Sequence, residues 1–131
     1  MESPLDNSPF LSHMGLKLTH WEEGLAHFEM EIAPWQLNRQ GVLQGGVVAT
    51  LLDAVCGYAG LYSGPGQPRV NGFTISLSVD FVASSQVGKL RAIGTKIGGG
   101  KQIFFSRGEI SAEDGRLIAS GQGSFKYRRS T

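Results

Sequence analysis

The chain has 131 residues, a length that suits one domain with a core of its own but leaves little to spare. Forty per cent of the residues are hydrophobic and 18% charged, a balance that excludes a disordered chain. The formal net charge of +1 provides neither a global basic field for nucleic acid nor an acidic tail. Cys56 is the single cysteine, so no intrachain disulfide can form, and a reducing, cytoplasmic setting is expected. No charged segment followed by an apolar one opens the chain, so no signal peptide is read. The 19 glycines are scattered at turns and make no repeat or linker, and one domain over residues 1–131 is expected.

Residues 1–8 are polar and contain proline, which reads as a loose lead. Pro9 to Met14 predicts one helical turn, with Ser8 as N-cap and Pro9 at the first helical position. Leu16 to Trp21 alternates, Glu23-Gly24 reads as a turn, and Leu25 to Ile32 alternates again with Ala26, Phe28, Met30 and Ile32 on one face. These two segments predict a β-hairpin, on which His20 and His27 are solvated strand residues. Pro34 ends the second strand, and the loop to Val42 feeds the next element.

That element is the centre of the chain. Val47 to Tyr62 is an apolar run without proline, and a helix from Gly45 to its end would measure about 27 Å. Its large residues cover most of the circumference, which predicts a buried helix, and it is too interrupted for a comfortable membrane span. Within it sits one carboxylate, Asp53, with Thr50 one turn back to offer a hydroxyl. A carboxylate in such a place either lies on a partly solvated face and does nothing, or lines a cleft as base or nucleophile. Gly45 and Gly46 leave backbone N–H groups uncovered at the helix start, where an anion or a polarised carbonyl oxygen is attracted. Gly45 and Asp53 are roughly 12 Å apart along the axis, so one substrate carbonyl cannot touch both in one chain. If both act, two chains must share each site. Asn38, in the preceding loop, is an ordinary turn residue or a further member of the site. Cys56 reads as a small buried hydrophobe rather than a nucleophile.

Ser63 to Pro68 breaks the chain, and Arg69 stands at the entrance to the next strand. Val70 to Ala83 alternates, with odd positions apolar and even ones polar, which places Thr74 on the face opposite Phe73 and Ile75. Gly88 to Ile97, Ile103 to Ala112 and Leu117 to Tyr127 are three more strands, separated by Gly98 to Lys101 and Glu113 to Gly115. The order is two strands, a helix and four strands. It predicts an α+β domain in which a curved antiparallel sheet wraps the helix. No His, Cys and carboxylate cluster has metal-ligand spacing, no G-x-S-x-G elbow appears, and the Gly98 to Lys101 turn lacks the helix of a P-loop.

With Asn38, Gly41, Gln44, Gly45-Gly46 and Asp53 at these spacings, the chain resembles the hotdog-fold acyl-CoA thioesterases, in particular the phenylacetate-degradation (PaaI-like) group. The likeness runs from about Leu11 to Tyr127, and Gly115 to Gly121 fits the last hairpin. It implies hydrolysis of an acyl-CoA thioester, with Asp53 as general base or nucleophile and the Gly45 N–H polarising the thioester carbonyl. It further implies that Asn38 orients the substrate and that Thr74 holds the attacking water. Gly46 and Phe73 would line the substrate site, and Arg69, Lys101, Arg128 and Arg129 would meet the CoA phosphates. The partners implied are the acyl-CoA thioester and further copies of the chain, in a homodimer as minimal unit and a homotetramer as the common assembly. No cofactor is implied beyond the CoA of the substrate. The chain departs from the family at Gln44, where histidine is usual. Glutamine donates and accepts hydrogen bonds but supplies no proton near neutral pH. An acyl-CoA-binding protein without turnover is the alternative, a hydratase on the same fold is third, and a nucleic-acid role is weakest.

Overall fold

The computed structural model describes residues 8–128. Most of the expected lead and the candidate Arg129 lie outside the described residues. Helix α1 (Pro9–Met14) starts as the sequence predicts: Ser8 Oγ accepts the Leu11 N–H at 3.4 Å, Pro9 opens the helix, and Gly15 closes it with φ 81°. The hairpin of β1 (Lys17–Glu22) and β2 (Leu25–Glu31) follows, turning at Gly24 with φ 76°. Ala26, Phe28 and Met30 are buried on its inner face. A short 3-10 turn, Pro34–Gln36, leads to the loop before α2 (Gly45–Ala59). Then come β3 (Asn71–Phe81), β4 (Lys89–Gly99), β5 (Ile103–Ala112) and β6 (Leu117–Arg128).

The six strands form one antiparallel sheet in the order β1-β2-β4-β5-β6-β3. Strand β3 follows the helix in sequence but lies at the far edge, beside β6, and β4 returns to pair with β2. The curved sheet and its one long helix make the hotdog fold, as expected. Helix α2 packs against all six strands. Val47, Val48, Leu51, Leu52, Val55 and Cys56 meet Phe28, Leu90, Phe104, Ile110 and Phe125 in the core. Burial of each large side chain contributes about 1.5–3 kcal/mol. The helix comes close because glycines lie beneath it. Gly94 and Gly108 face each other across β4 and β5, and a Cβ on Gly94 would run into the Val55 carbonyl. A Cβ on Gly108 would lie 2.9 Å from Cys56 Sγ.

Three expectations need correction. The helix stops at Ala59, not Tyr62: Gly60 caps it, and the last N–H groups bond three residues back, Gly60 to the Gly57 carbonyl at 3.2 Å and Leu61 to the Tyr58 carbonyl at 3.1 Å. Burial around α2 is also incomplete: Gly46 is exposed, and Ala49, Thr50 and Asp53 are half-buried, forming one open stripe. Finally, the alternation of β3 does not run through. Thr74 pairs with Phe125 and Ser76 with Ser124, which leaves Ile75 as a bulge. One extra residue reverses the parity of a strand. Thr74 therefore faces the helix before the bulge and Val79 packs on the core after it, while Phe73 and Ile75 are 53% and 51% exposed.

Candidate active site

Helix α2 and strand β3 bring two of the candidates together. Thr74 Oγ1 donates to Asp53 Oδ1 at 2.6 Å. This is the short length of a charge-assisted O–H···O⁻ bond, and it orients the carboxylate with its second oxygen free for another donor. The bulge makes the contact possible by turning Thr74 towards the helix. Thr50, expected to serve Asp53, instead donates back to the Gly46 carbonyl at 2.8 Å. A hydroxyl one turn along its own helix prefers the i−4 carbonyl.

Asp53 and Thr74 open into a cavity of about 280 Å³. Its walls include Ala54, Gly57, Tyr58, Leu61, Phe73 and the stacked rings of Phe104 and Phe125, whose centroids are 5.0 Å apart. Tyr58 packs edge-on against Phe28, and its carbonyl accepts the Trp21 Nε1–H at 2.7 Å. Burial raises the Tyr58 hydroxyl above its ordinary range, and the neighbouring Arg69, hydrogen-bonded to it, pulls it partly back. Cys56, behind Asp53, is pushed up to about 12 by burial and then by the Asp53 charge. It is a buried thiol at neutral pH, in keeping with its expected role.

The other half of the candidate set lies at the opposite end of α2. Asn38, Gln44, Arg39, Gln40 and Trp35 line a separate cleft beside the helix start. Asn38 Oδ1 accepts from the Gln40 and Val42 N–H groups at 2.9 and 3.3 Å, so its carbonyl side holds the loop in shape. Its Nδ2 group has no partner among the described residues. Gln44 is the N-cap by position only; its side chain is exposed and makes no capping bond. The Gln44 carbonyl accepts the Val47 N–H at 3.0 Å, while the Gly45 and Gly46 N–H groups have no acceptor among the described residues. Neither glycine has a positive φ, and a Cβ on Gly46 would meet nothing within 4 Å.

Arg69, Lys101 and Arg128 sit on neighbouring segments at one end of the sheet. Arg128 pairs with Asn71 at the start of β3, and the Tyr127 N–H donates to the Gln102 carbonyl, next to Lys101, at 2.9 Å. Among the described residues, no group of three or more His, Cys, Asp or Glu could hold a metal ion, and no helix is long and apolar enough to cross a membrane.

Sequence reasoning missed Gln36 and the place of α1 in the cavity wall. Gln36 is 2% exposed; its Oε1 accepts the Ala33 N–H and its Nε2 donates to the Met14 carbonyl, both at 2.9 Å. Its own carbonyl accepts the Gln44 N–H at 2.9 Å, so one residue ties α1 to the start of α2. A glutamine after Pro-Trp carries no signal of such burial. Ser8, Phe10 and Leu11 line the Asp53 cavity, although α1 showed no apolar period long enough to mark a face.

Comparison with known proteins identifies the family and the fold. The family described as the thioesterase superfamily matches residues 40–119, a span that holds Gln44, Gly45, Asp53 and Thr74. The medium/long-chain acyl-CoA thioesterase YigI of Salmonella typhimurium is 25% identical over 130 residues, covering 89% of this chain and 84% of that protein. A Pseudomonas aeruginosa protein named only provisionally as an esterase is 33% identical over 90 residues, 67% of this chain. That match spans 64% of the Pseudomonas protein's length. The PaaI protein of the E. coli phenylacetic acid degradation operon superposes with a TM-score of 0.88 at 22% identity, over 97% of this chain and 89% of its own. Most of the chain, including the helix start, the half-open carboxylate and the hydroxyl bonded to it, falls inside the family match, and the chain belongs to the thioesterase superfamily.

Proposed function

We propose that the chain hydrolyses acyl-CoA thioesters to the free acid and CoA, in sites shared by two subunits. The observation that carries this reading is the Thr74–Asp53 bond of 2.6 Å at the mouth of a largely apolar cavity. Asp53 acts as general base. Its free oxygen takes a proton from water as that water attacks the thioester carbonyl carbon, while Thr74 holds the carboxylate and offers its own lone pairs to the same water. The developing oxyanion is met by the Gly45 N–H of the other subunit. When the intermediate collapses, the C–S bond breaks, the thiolate leaves, and the proton on Asp53 is returned to it. General-base assistance contributes about 10²–10⁴-fold and an oxyanion donor about 2.7–4 kcal/mol. CoA thiolate leaves readily, so Gln44 need not donate a proton; with Asn38 Nδ2 it orients the acyl side.

The same reading makes the homodimer the minimal unit and a tetramer a further assembly. It puts Arg69, Lys101 and Arg128 around the CoA phosphates, and a single buried cysteine fits a cytoplasmic setting. The test is free-thiol release from a panel of aryl- and alkyl-CoA thioesters by wild type and Asp53→Asn. A loss of about 10² or more with the oligomer intact supports Asp53 as the base. Acyl-CoA binding without any thiol release would instead make this a binding protein, with Gln44 the first suspect.

A further inference from the structure

The cavity beside Asp53, at about 280 Å³, lies at the small end of ligand pockets. Helix α2 and the sheet supply most of its lining, and Ser8, Phe10 and Leu11 of the α1 segment supply the rest. Its polar groups are few, with the Asp53–Thr74 pair foremost, so what it admits beyond the reacting carbonyl is apolar. We propose that α1 is the wall that sets acyl size, with Leu11 and Phe10 confining the pocket to a single aromatic ring or a medium-length chain. This rests on the thioesterase reading above.

The wall is built to hold its place. Ser8 caps its start and Gly15 its end. Met14 and Leu16 are buried beneath it, and the Met14 carbonyl accepts from buried Gln36 Nε2 at 2.9 Å. The His13 ring rests 5.6 Å from that of Trp35. On this anchored turn, Leu11 is half-buried against the core while Phe10 stays 60% exposed. This large ring stands open on a fixed turn at the rim of an apolar cavity, where an incoming acyl chain would meet it. Rigid sterics of this kind separate acyl groups by size, because an overlong chain must displace a packed side chain.

The experiment measures kcat/KM by thiol release across acetyl- to palmitoyl-CoA and phenylacetyl-CoA, for wild type, Leu11→Ala, Leu11→Trp and Phe10→Ala. Leu11→Ala is expected to shift the long-to-short preference roughly 15- to 60-fold towards long chains, from room for two or three methylenes. Leu11→Trp is expected to lose the largest substrates of the wild type and keep the smallest. Phe10→Ala replaces an exposed residue, so it reads the wall even if the Leu11 variants fold poorly, and it moves the preference in the same direction as Leu11→Ala. An unchanged size ranking in the folded variants overturns the proposal. So does a uniform change of KM for every acyl group, which would assign the cavity to the pantetheine arm. If the wild type releases no thiol at all, the thioesterase reading fails separately. Calorimetric binding of the same series then reads the wall: a size cut-off that moves in the variants supports it, and an unmoved one overturns it.

Discussion

Replacing Thr74 by valine tests the central contact with little disturbance of the fold. Valine keeps the shape and β-branching that suit a strand, and Thr74 is exposed in the chain, so the loss of stability should not exceed the ~1.5–3 kcal/mol of one hydrogen bond to a charged group and should leave the fold intact. What is lost is the hydroxyl that donates to Asp53 Oδ1 at 2.6 Å. Hydrogen bonds to a charged group contribute about 1.5–3 kcal/mol, which converts to roughly a 10- to 100-fold loss if the bond is needed to present the base. The assay is thiol release under saturating and limiting acyl-CoA. The loss is expected in kcat with KM changed little, because the hydroxyl orients the base and the water rather than the substrate. Thr74→Ser should recover most of the rate. In an Asp53→Asn background, Thr74→Val should cost nothing further, since the two side chains act as a unit. A Thr74→Val enzyme within about twofold of wild type would refute the reasoning.

Mixing two inactive variants, Asp53→Asn and Gly46→Val, under conditions of subunit exchange should restore about a quarter of wild-type turnover, because half the dimers then hold one intact shared site; no recovery would place each site within one chain. Gly94→Ala, which drives a Cβ into the Val55 carbonyl, should lower stability by about 1–3 kcal/mol in chemical denaturation, and an unchanged midpoint would contradict the close helix–sheet approach. Cys56, with its thiol pushed up from 9.0 to about 12, should resist thiol reagents in the native protein at pH 8 and react on unfolding. The unfolded thiol ionises first, so the stabilisation from this group is complete below pH 9 and is lost as pH rises towards 12. The melting temperature of wild type should therefore fall more steeply over that window than that of Cys56→Ala.

Much of the fold is legible from local chemistry. Ser8-Pro9 and Gly15 bracket α1, and the alternation of β2 delivers Ala26, Phe28 and Met30 to the core. The same reasoning fails where a distant residue decides. The alternation of Phe73 to Phe81 puts Thr74 opposite Phe73, as the strand does, but the bulge at Ile75 depends on the register with β6, and the change of face after it is not visible in the alternation. Order in the sheet is equally non-local: β3 follows the helix in sequence yet lies at the far edge beside β6. For the site, spacing on α2 singled out Gly45 and Asp53 as candidates and offered Thr50 as the hydroxyl near the carboxylate, while Thr74 entered only through the family resemblance. Only the folded chain separates them, through one bond to Gly46 and one to Asp53.

The open stripe of α2 bears on how such a site is completed. Gly46, Ala49, Thr50 and Asp53 lie along one face and are the part of the helix that the sheet leaves partly uncovered. Glycine within a helix costs about 0.8–1.0 kcal/mol relative to alanine. At Gly46 neither backbone conformation nor a neighbour in the chain requires it, since a Cβ there would meet empty space. Among the described residues nothing fills the space beside it, so a substrate or a second copy can come close there. Under the proposed function both do. If two copies of α2 run antiparallel about a twofold axis at Ala49, residue 45 of one falls opposite residue 53 of the other, because both lie four positions from the axis. The small side chains of the stripe let the backbones approach, and each uncovered N–H pair then faces a carboxylate held by Thr74. An isologous contact of this kind makes two such sites at once. Under the same proposal it accounts for Asp53 and Gly45 standing on one rod, too far apart to serve the same carbonyl.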